Sequence, residues 1–525
     1  MNSILKLVAG FSCALALSAC GGGGGGGQAA PPAPPPAVNP NQSWLTLTPP
    51  SANLTTYEGE ALTFKITAKS SKTFSKPVNI AIRDKVGVIS TDVKISSNSD
   101  LEYAAALQTS TVLKVGEYAT NLELWLCEDD PTVCKTPLEG SPWIIPLNVS
   151  VKSGTNLTPL KNLPQMANWS TYQGNASHTG YVPASFDVTK FSRRWTLPAS
   201  ESTSELLPVT HDGGKVFAVF SGRFAAQSTL LAISEDTGKE VWRVELGALH
   251  RVNPPAAGNG KVYVTSTGHQ DTFFWVFDQA TGALLSKKSM ASQWETYLAP
   301  TIYGDTVYTD SGYYGGMSKF STSTYELLWG NFTLPQYDGW TPAVDGTYAY
   351  AYLGGSVYAV RVDDGTTAYT INDPENQWSG YTGPVIVLSG KQKGFVVNGG
   401  RLVAFDLDSR TRAWSANGTA VGQPAFAKDV VYVLNANGTV LEAHAASNGS
   451  LLWTSNSVGD AGRFNKLIVT DNLAFISSAE ATLAIDLNTH KTVWQYPLGG
   501  ELSISDRGVL YIGGANRKLA AVNLQ

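Results

Sequence analysis

The chain has 525 residues, of which 43% are hydrophobic and only 15% charged; this is too long for one ordinary domain and ample for sizeable cores. A formal net charge of −5 without a basic stripe sets nucleic-acid binding aside. With 51 Gly, 14 Trp and 22 Tyr, the composition suits short strands joined by glycine turns and not helical bundles. No amphipathic helix of convincing length follows residue 30.

Residues 1–20 read as a targeting segment outside the fold, with Lys6 as the positive start and Leu7 to Ala16 as the apolar core. The apolar run is too short to span a bilayer comfortably. Leu17-Ser18-Ala19-Cys20 resembles a bacterial lipobox, which implies that Cys20 becomes the acylated first residue. Gly21 stands where an Asp would retain such a protein at the inner membrane, so an outer-membrane anchor is expected, facing the periplasm or the cell surface. Residues 21–43 form a tether: seven glycines, then Pro31-Pro32 and Pro34-Pro35-Pro36, which bury nothing.

Over residues 44–152 the hydrophobic residues alternate, as in Leu62-Phe64-Ile66, Val78-Ile80-Ile82, Leu122-Leu124-Leu126 and Trp143-Ile145-Leu147-Val149. Turn residues interrupt every eight to twelve positions or so, which predicts one β-sandwich. The segment resembles a bacterial immunoglobulin-like domain in architecture, although no Cys…Trp…Cys spacing is present. Cys127 and Cys134 flank Glu128-Asp129-Asp130-Pro131 and are expected to close a hairpin tip as a disulfide; the alternative is a metal held by the acidic trio.

Residues 153–190 read as a linker and lead-in, and residues 191–525 as a repeat. Leu230 to Ser234, a turn containing Thr237-Gly238, and a strand ending in Trp242 make one phrase. Its last-strand markers fall at 195, 242, 286, 329, 369, 414, 453 and 494, spaced 39 to 47 residues apart. A period in the low forties or so built from short strands predicts a β-propeller. The segment around Trp195 lacks the preceding strands of a blade, and the chain's end, through Leu519 to Val522, lacks a last one. Pairing the two closes a ring of eight blades and removes both open edges. The fold class is all-β: an immunoglobulin-like sandwich followed by an eight-bladed propeller. The repeat Trp residues are expected to wedge between blades, and the Asp residues 236, 278, 364, 406 and 486 to bond their own turns.

Leu231 to Trp242, Ala404 to Trp414 and Ala484 to Trp494 resemble the PQQ-like repeat family, as does the lead-in Trp169-Ser170-Thr171-Tyr172-Gln173-Gly174-Asn175 with His178-Thr179-Gly180. The resemblance covers residues 165–525 and implies the propeller. Its members include quinoprotein alcohol dehydrogenases, which use a vicinal disulfide, calcium and a catalytic Asp, and the non-catalytic BamB-like lipoproteins of outer-membrane protein assembly. No Cys follows Cys134 and no calcium-ligand set is matched, so no cofactor is expected; PQQ with Ca²⁺ is the alternative.

The inter-blade loops and the loops Ser221–Ser228, Ser266–Thr272 and Asp310–Gly316 should share one face of the propeller. There His250, Arg251, Trp294, Glu295, Tyr297, Tyr313, Tyr314, Tyr337, Trp340, Trp378, Tyr381 and Arg463 make a candidate binding rim for a peptide or glycan. The six histidines never occur at metal-ligand spacing. His269-Gln270-Asp271 is the one acid/base candidate, and neither a G-x-S-x-G elbow nor a P-loop is present. The expected work is therefore non-catalytic docking of a protein partner by an outer-membrane lipoprotein. A PQQ-dependent dehydrogenase and a surface adhesin or glycan binder are the alternatives.

Overall fold

The computed structural model describes residues 42–525, apart from 75–77, 198–203, 223–225, 269–271, 294–295, 378–379, 391, 459–462, 515 and the side chain of Asn98. The chain divides into two compact units, the second running Gly154–Gln525. No α-helix occurs among the described residues, and no helix there is long and apolar enough to cross a membrane.

The first unit has eight strands, β1 (Leu45–Thr48), β2 (Ala52–Tyr57), β3 (Thr63–Ser70), β4 (Asn79–Arg83), β5 (Lys94–Ser99), β6 (Glu102–Gln108), β7 (Gly116–Cys127) and β8 (Trp143–Lys152). They form two sheets, β1-β3-β6-β5 and β2-β8-β7-β4, with β2 parallel to β8. Alternation decides which face goes in: along β8 every second residue from Trp143 to Val151 is buried. These side chains meet Leu122, Leu124 and Leu126 of β7 and Ile66 and Leu107 of the facing sheet in one core.

The second unit contains eight sheets, each of four main antiparallel strands. The last is completed from the other end of the unit. Strands Glu501–Ile504, Val509–Gly513 and Leu519–Asn523 are joined by β9 (Ser192–Leu197), with Leu519 opposite Leu197, Ala521 opposite Trp195 and Asn523 opposite Ser192. Trp195, Val216, Ala218 and Ile233 share a hydrophobic cluster with Tyr511, Leu519 and Ala521, so the last blade packs on the first and the ring is closed.

The repeat motif has a physical reading. In each blade the pairing of the last two strands slips by one residue at the same place, as between Ala232 and Ile233 or Ala404 and Phe405. A bulge there adds local twist, and it stands beside the residue paired to the marker position, such as Trp242 opposite Ala232. The Trp indole then reaches the next blade: Trp195 Nε1 donates to the Glu235 carbonyl at 2.9 Å, Trp242 to Gln279 at 3.1 Å, Trp329 to Val362 at 2.9 Å and Trp414 to Ala446 at 3.1 Å. The ring lies flat on the glycine of that turn. A Cβ on Gly238 would stand 2.7 Å from Trp195, and one on Gly365 2.6 Å from Trp329; both glycines also have φ above +70° or at it. Of the turn aspartates, 278, 364, 406 and 486 accept backbone N–H groups of their own turns; hydroxyl bonds from Thr281 and Thr366 first, then backbone bonds, hold the carboxyls of 278 and 364 below the usual range, and backbone bonds first hold those of 406 and 486. Asp236 instead pairs with Arg507 and Arg194 where the ring closes.

Candidate binding site at the propeller mouth

Residues 153–190, expected as a linker, belong almost wholly to the propeller unit, and their central part is a plug. Trp169 O accepts the N–H of His211 in the first blade, and Ser170 O that of Ala257 in the second. Thr171 Oγ1 donates to Pro300 O at 2.6 Å, at the start of the third. The carbonyls of Ala176, Ser177, Thr179 and Gly180 then accept from Val344, Leu388, Phe426 and Val469 in the fourth to seventh blades. Leu163 N donates to Asp506 O in the last. The chain thus satisfies one inner-strand backbone group after another around the ring, which buried amides require. The acceptors' partners in the first, second and fourth to seventh blades adjoin the turns between first and second strands, so the plug closes the channel at that end and leaves the opposite end as the mouth.

Each residue of the lead-in motif has a task in that turn. Gly174 (φ +90°) leaves room for the Trp169 ring, which a Cβ there would meet at 2.9 Å. Asn175 Oδ1 accepts from Ser177 N at 3.0 Å, and its amide donates to Thr179 Oγ1 at 2.7 Å. His178 is fully buried between Tyr172 O (2.7 Å) and Pro342 O (2.9 Å), and burial holds its pKa below the ordinary value. It is a fastening, not an acid/base group.

At the mouth a cavity of about 500 Å³ lies over the fourth to seventh blades. Its floor is Tyr172, and its walls are the inter-blade segments 382–385, 420–423 and 463–466 with the turn 397–400. Glycines make the walls close: a Cβ on Gly422 would strike Asn465 O at 2.2 Å, and one on Gly438 Phe464 O at 2.2 Å. Arg463 is exposed. Lys466 pairs with Glu501 at 2.5 Å; burial opposes its charge, but the carboxylate outweighs burial and the pKa ends above the ordinary value. Burial, against the pull of Lys466 and with the push of Glu501, raises the Tyr172 phenol to about 12. The cavity therefore offers backbone groups, Asn398, Gln423, Asn437 and Asn465 amides, a phenol and two cations. This is equipment for holding polar groups, and among the described residues no carboxylate, histidine or thiol lines it.

The structure splits the predicted rim. Tyr313 (53% exposed), Tyr314 (78%) and Tyr381 (67%) stand in solvent, and Tyr337 packs 5.9 Å from Tyr381. His250 and Arg251 are half-buried; partial burial and then the Arg251 charge lower the His250 pKa. Tyr297 and Trp340 are corrections. Both are core residues, 0% and 1% exposed, because their loops are drawn inward by neighbouring segments. Tyr297 N donates to Asn253 Oδ1 and its hydroxyl to Ser292, while Trp340 Nε1 donates to Tyr337 O. Trp294, Glu295, Trp378, the His269–Asp271 loop and Cys20 lie outside the described residues. Sequence reasoning missed the Gly/Asn-rich wall, whose only signal was the recurrence of Gly-Gly and Asn-Gly in the turns after second strands. Cys127 and Cys134 form the expected disulfide, Cα–Cα 5.5 Å.

A calcium-bound quinone would need carboxylates converging with amides beside the mouth. Among the described residues the cavity walls supply amides but no acid, and the close trio able to hold a metal is Cys127, Asp129 and Cys134, in the other unit and with both sulfurs joined to each other. The described residues do not fit that pair of cofactors.

The closed ring, the Trp-to-Gly seams and the plug define a PQQ-like-repeat β-propeller. A family model described as outer membrane protein assembly factor BamB matches residues 178–415 and, overlapping, 275–496, more than half of the chain, and the chain belongs to that family. Quinohemoprotein alcohol dehydrogenase from Comamonas testosteroni is similar in fold, with a TM-score of 0.52 and 14% identity over 68% of this chain and 80% of that one. BamB from Moraxella catarrhalis aligns at a TM-score of 0.48 and 12% identity, over 64% of this chain and 98% of that one. No curated protein matches the chain in sequence.

Proposed function

We propose that this is a lipid-anchored protein of the outer membrane, facing the periplasm, whose propeller docks a protein partner without catalysing a reaction, in the assembly of outer-membrane proteins. The observation that carries the docking reading is the mouth itself: a cavity of about 500 Å³ walled by glycine backbone, amides and cations. Backbone-rich walls of this kind suit an extended peptide, which presents alternating donors and acceptors. Membership of the family described as outer membrane protein assembly factor BamB supports the setting. Leu17-Ser18-Ala19-Cys20 supports the anchor at Cys20, and residues 21–43 would carry the folded units away from it. The first unit, with the strand order of an immunoglobulin-type sandwich, would be a spacer module.

A photoreactive residue placed at Arg463 tests this in intact cells, with one at Asn259, in a first-to-second-strand turn, as its counterpart. The reading expects a discrete protein adduct from position 463 and none from 259. Adducts from 259 alone, or dye-linked alcohol or sugar oxidation appearing when PQQ and Ca²⁺ are added, would sink it. The glycan alternative draws on Tyr313, Tyr314 and Tyr381, exposed rings of the kind that stack on sugars; a glycan array with a Tyr314→Ala, Tyr381→Ala double variant separates it.

A further inference from the structure

The sandwich is not filled. Facing sheets of this kind normally interdigitate at native density with few voids larger than a water. Here a cavity of about 560 Å³ lies between them, within the roughly 300–1,000 Å³ of small-molecule sites. Two of the strands that line it, β4 and β5, are each at an edge of their sheet. Ile80 and Ile82 of β4 pair with Leu126 and Leu124, and Ile95 of β5 pairs with Ala105. All three isoleucines line the cavity and remain half-exposed. In the sheet facing Ile80 and Ile82, Ala68 and Ala105 supply only methyl groups. An immunoglobulin-type sandwich of the antibody kind fills this space with a Trp on the third strand against an inter-sheet disulfide. In the corresponding place beside β7, β4 here carries isoleucines, and the disulfide among the described residues closes a turn instead.

The chemistry of the lining selects the ligand. The interior is aliphatic, from Ile66, Ile80, Ile82, Ile95 and Leu124 to Ile145. None of the buried side-chain atoms lacking a hydrogen bond belongs to a lining residue, so nothing inside is set to orient a polar group. Polar groups gather at one end: Lys72, whose ammonium lies 5.2 Å from the Trp44 ring, and Asp100. An unbranched apolar chain with a charged head matches that division. We propose that the space between the two sheets binds a single acyl chain, its methylenes among the isoleucines and its headgroup at Lys72. The site is independent of the propeller reading.

Cys20→Ser in the full chain allows purification without detergent and without an acyl group of its own. Binding of cis-parinaric acid is followed by fluorescence and competed with palmitate in one arm and lysophosphatidylethanolamine in the other, which distinguishes a free acid from a membrane lipid. One saturable site per chain is expected, displaced by at least one competitor. Ile82→Trp and, separately, Ala105→Leu fill the space and should weaken binding at least about tenfold while the melting temperature holds or rises. Two variants guard against one of them misfolding, which circular dichroism reports. Absence of saturable binding, or unchanged affinity in both folded variants, overturns the proposal. So does a dimer of the chain that Ile82→Trp dissolves, since the space would then receive a second copy.

Discussion

Four inter-blade seams carry a Trp against a Gly: 195 on 238, 242 on 282, 329 on 365 and 414 on 449. Three do not, yet their turns keep the same left-handed residue: Tyr325 at φ +63°, Arg410 at +57° and His490 at +59°. At the Tyr325 seam the marker position is Ser286, which brings no indole. Arg410 lays its guanidinium 4.5 Å from the Tyr369 ring, and His490 stacks at 4.2 Å on Trp453. At the seam between the seventh and eighth sheets the turn is missing, and Phe191 meets Trp494 edge-on at 5.3 Å. The backbone conformation is therefore constant, whereas glycine is demanded only where a flat Trp leaves no room for a side chain. Where a ring is present, the contact of aromatic on turn is made by several chemistries, and such a wedge fixes how neighbouring sheets pack.

The comparison can be broken most severely at the closing seam. Trp195→Ala removes a core side chain and its bond to Glu235 O; it should cost about 4 kcal/mol, the range for buried Trp truncations, read as a shift in denaturant midpoint. Next is Gly365→Ala, which adds a methyl 2.6 Å from an indole at a positive φ; a loss of about 3 kcal/mol is expected from overpacking and strain together.

Acid should loosen the same closing seam. His211, buried against Tyr511 and Trp169, has neither ring nitrogen hydrogen-bonded, and burial takes its pKa down to about 3 from 6.5. Between those values the unfolded chain binds a proton that the folded chain refuses. Stability is thus full above pH 6.5 and declines as pH falls towards 3, with a loss of about 2 kcal/mol expected between pH 7 and pH 5. Urea titrations at the two pH values should show that loss, and His211→Leu should abolish this component. The smallest effect sharpens the contrast: Tyr325→Gly relieves φ but loses packing, and its midpoint should move by less than about 1 kcal/mol.

Much of this was legible because repetition is legible. The Trp and Gly markers recur at near-constant spacing, and β9 announced itself as a strand without a blade. The plug was not, since a segment that visits eight blades in turn repeats nothing; only the density of the motif from Trp169 to Gly180 marked it as more than a connection. Tyr297 and Trp340 look like any loop aromatic. Tyr297 is fixed by Asn253 of another inter-blade segment, and Trp340 packs among Tyr308, Met317 and Leu353, so no local pattern could report their burial. The open core of the sandwich was hidden for a related reason: alternation tells which residues face inward, not whether the facing sheet supplies enough volume to meet them.

The most direct test of the seam is a double-mutant cycle at Trp329 and Gly365, measured by equilibrium denaturation. If the indole is what excludes a side chain from the turn, Gly365→Ala should cost at least about 1.5 kcal/mol less in a Trp329→Ala background than in the parent chain. Additive costs would mean that backbone conformation alone demands the glycine, and would contradict the contact on which the ring's geometry is argued to rest.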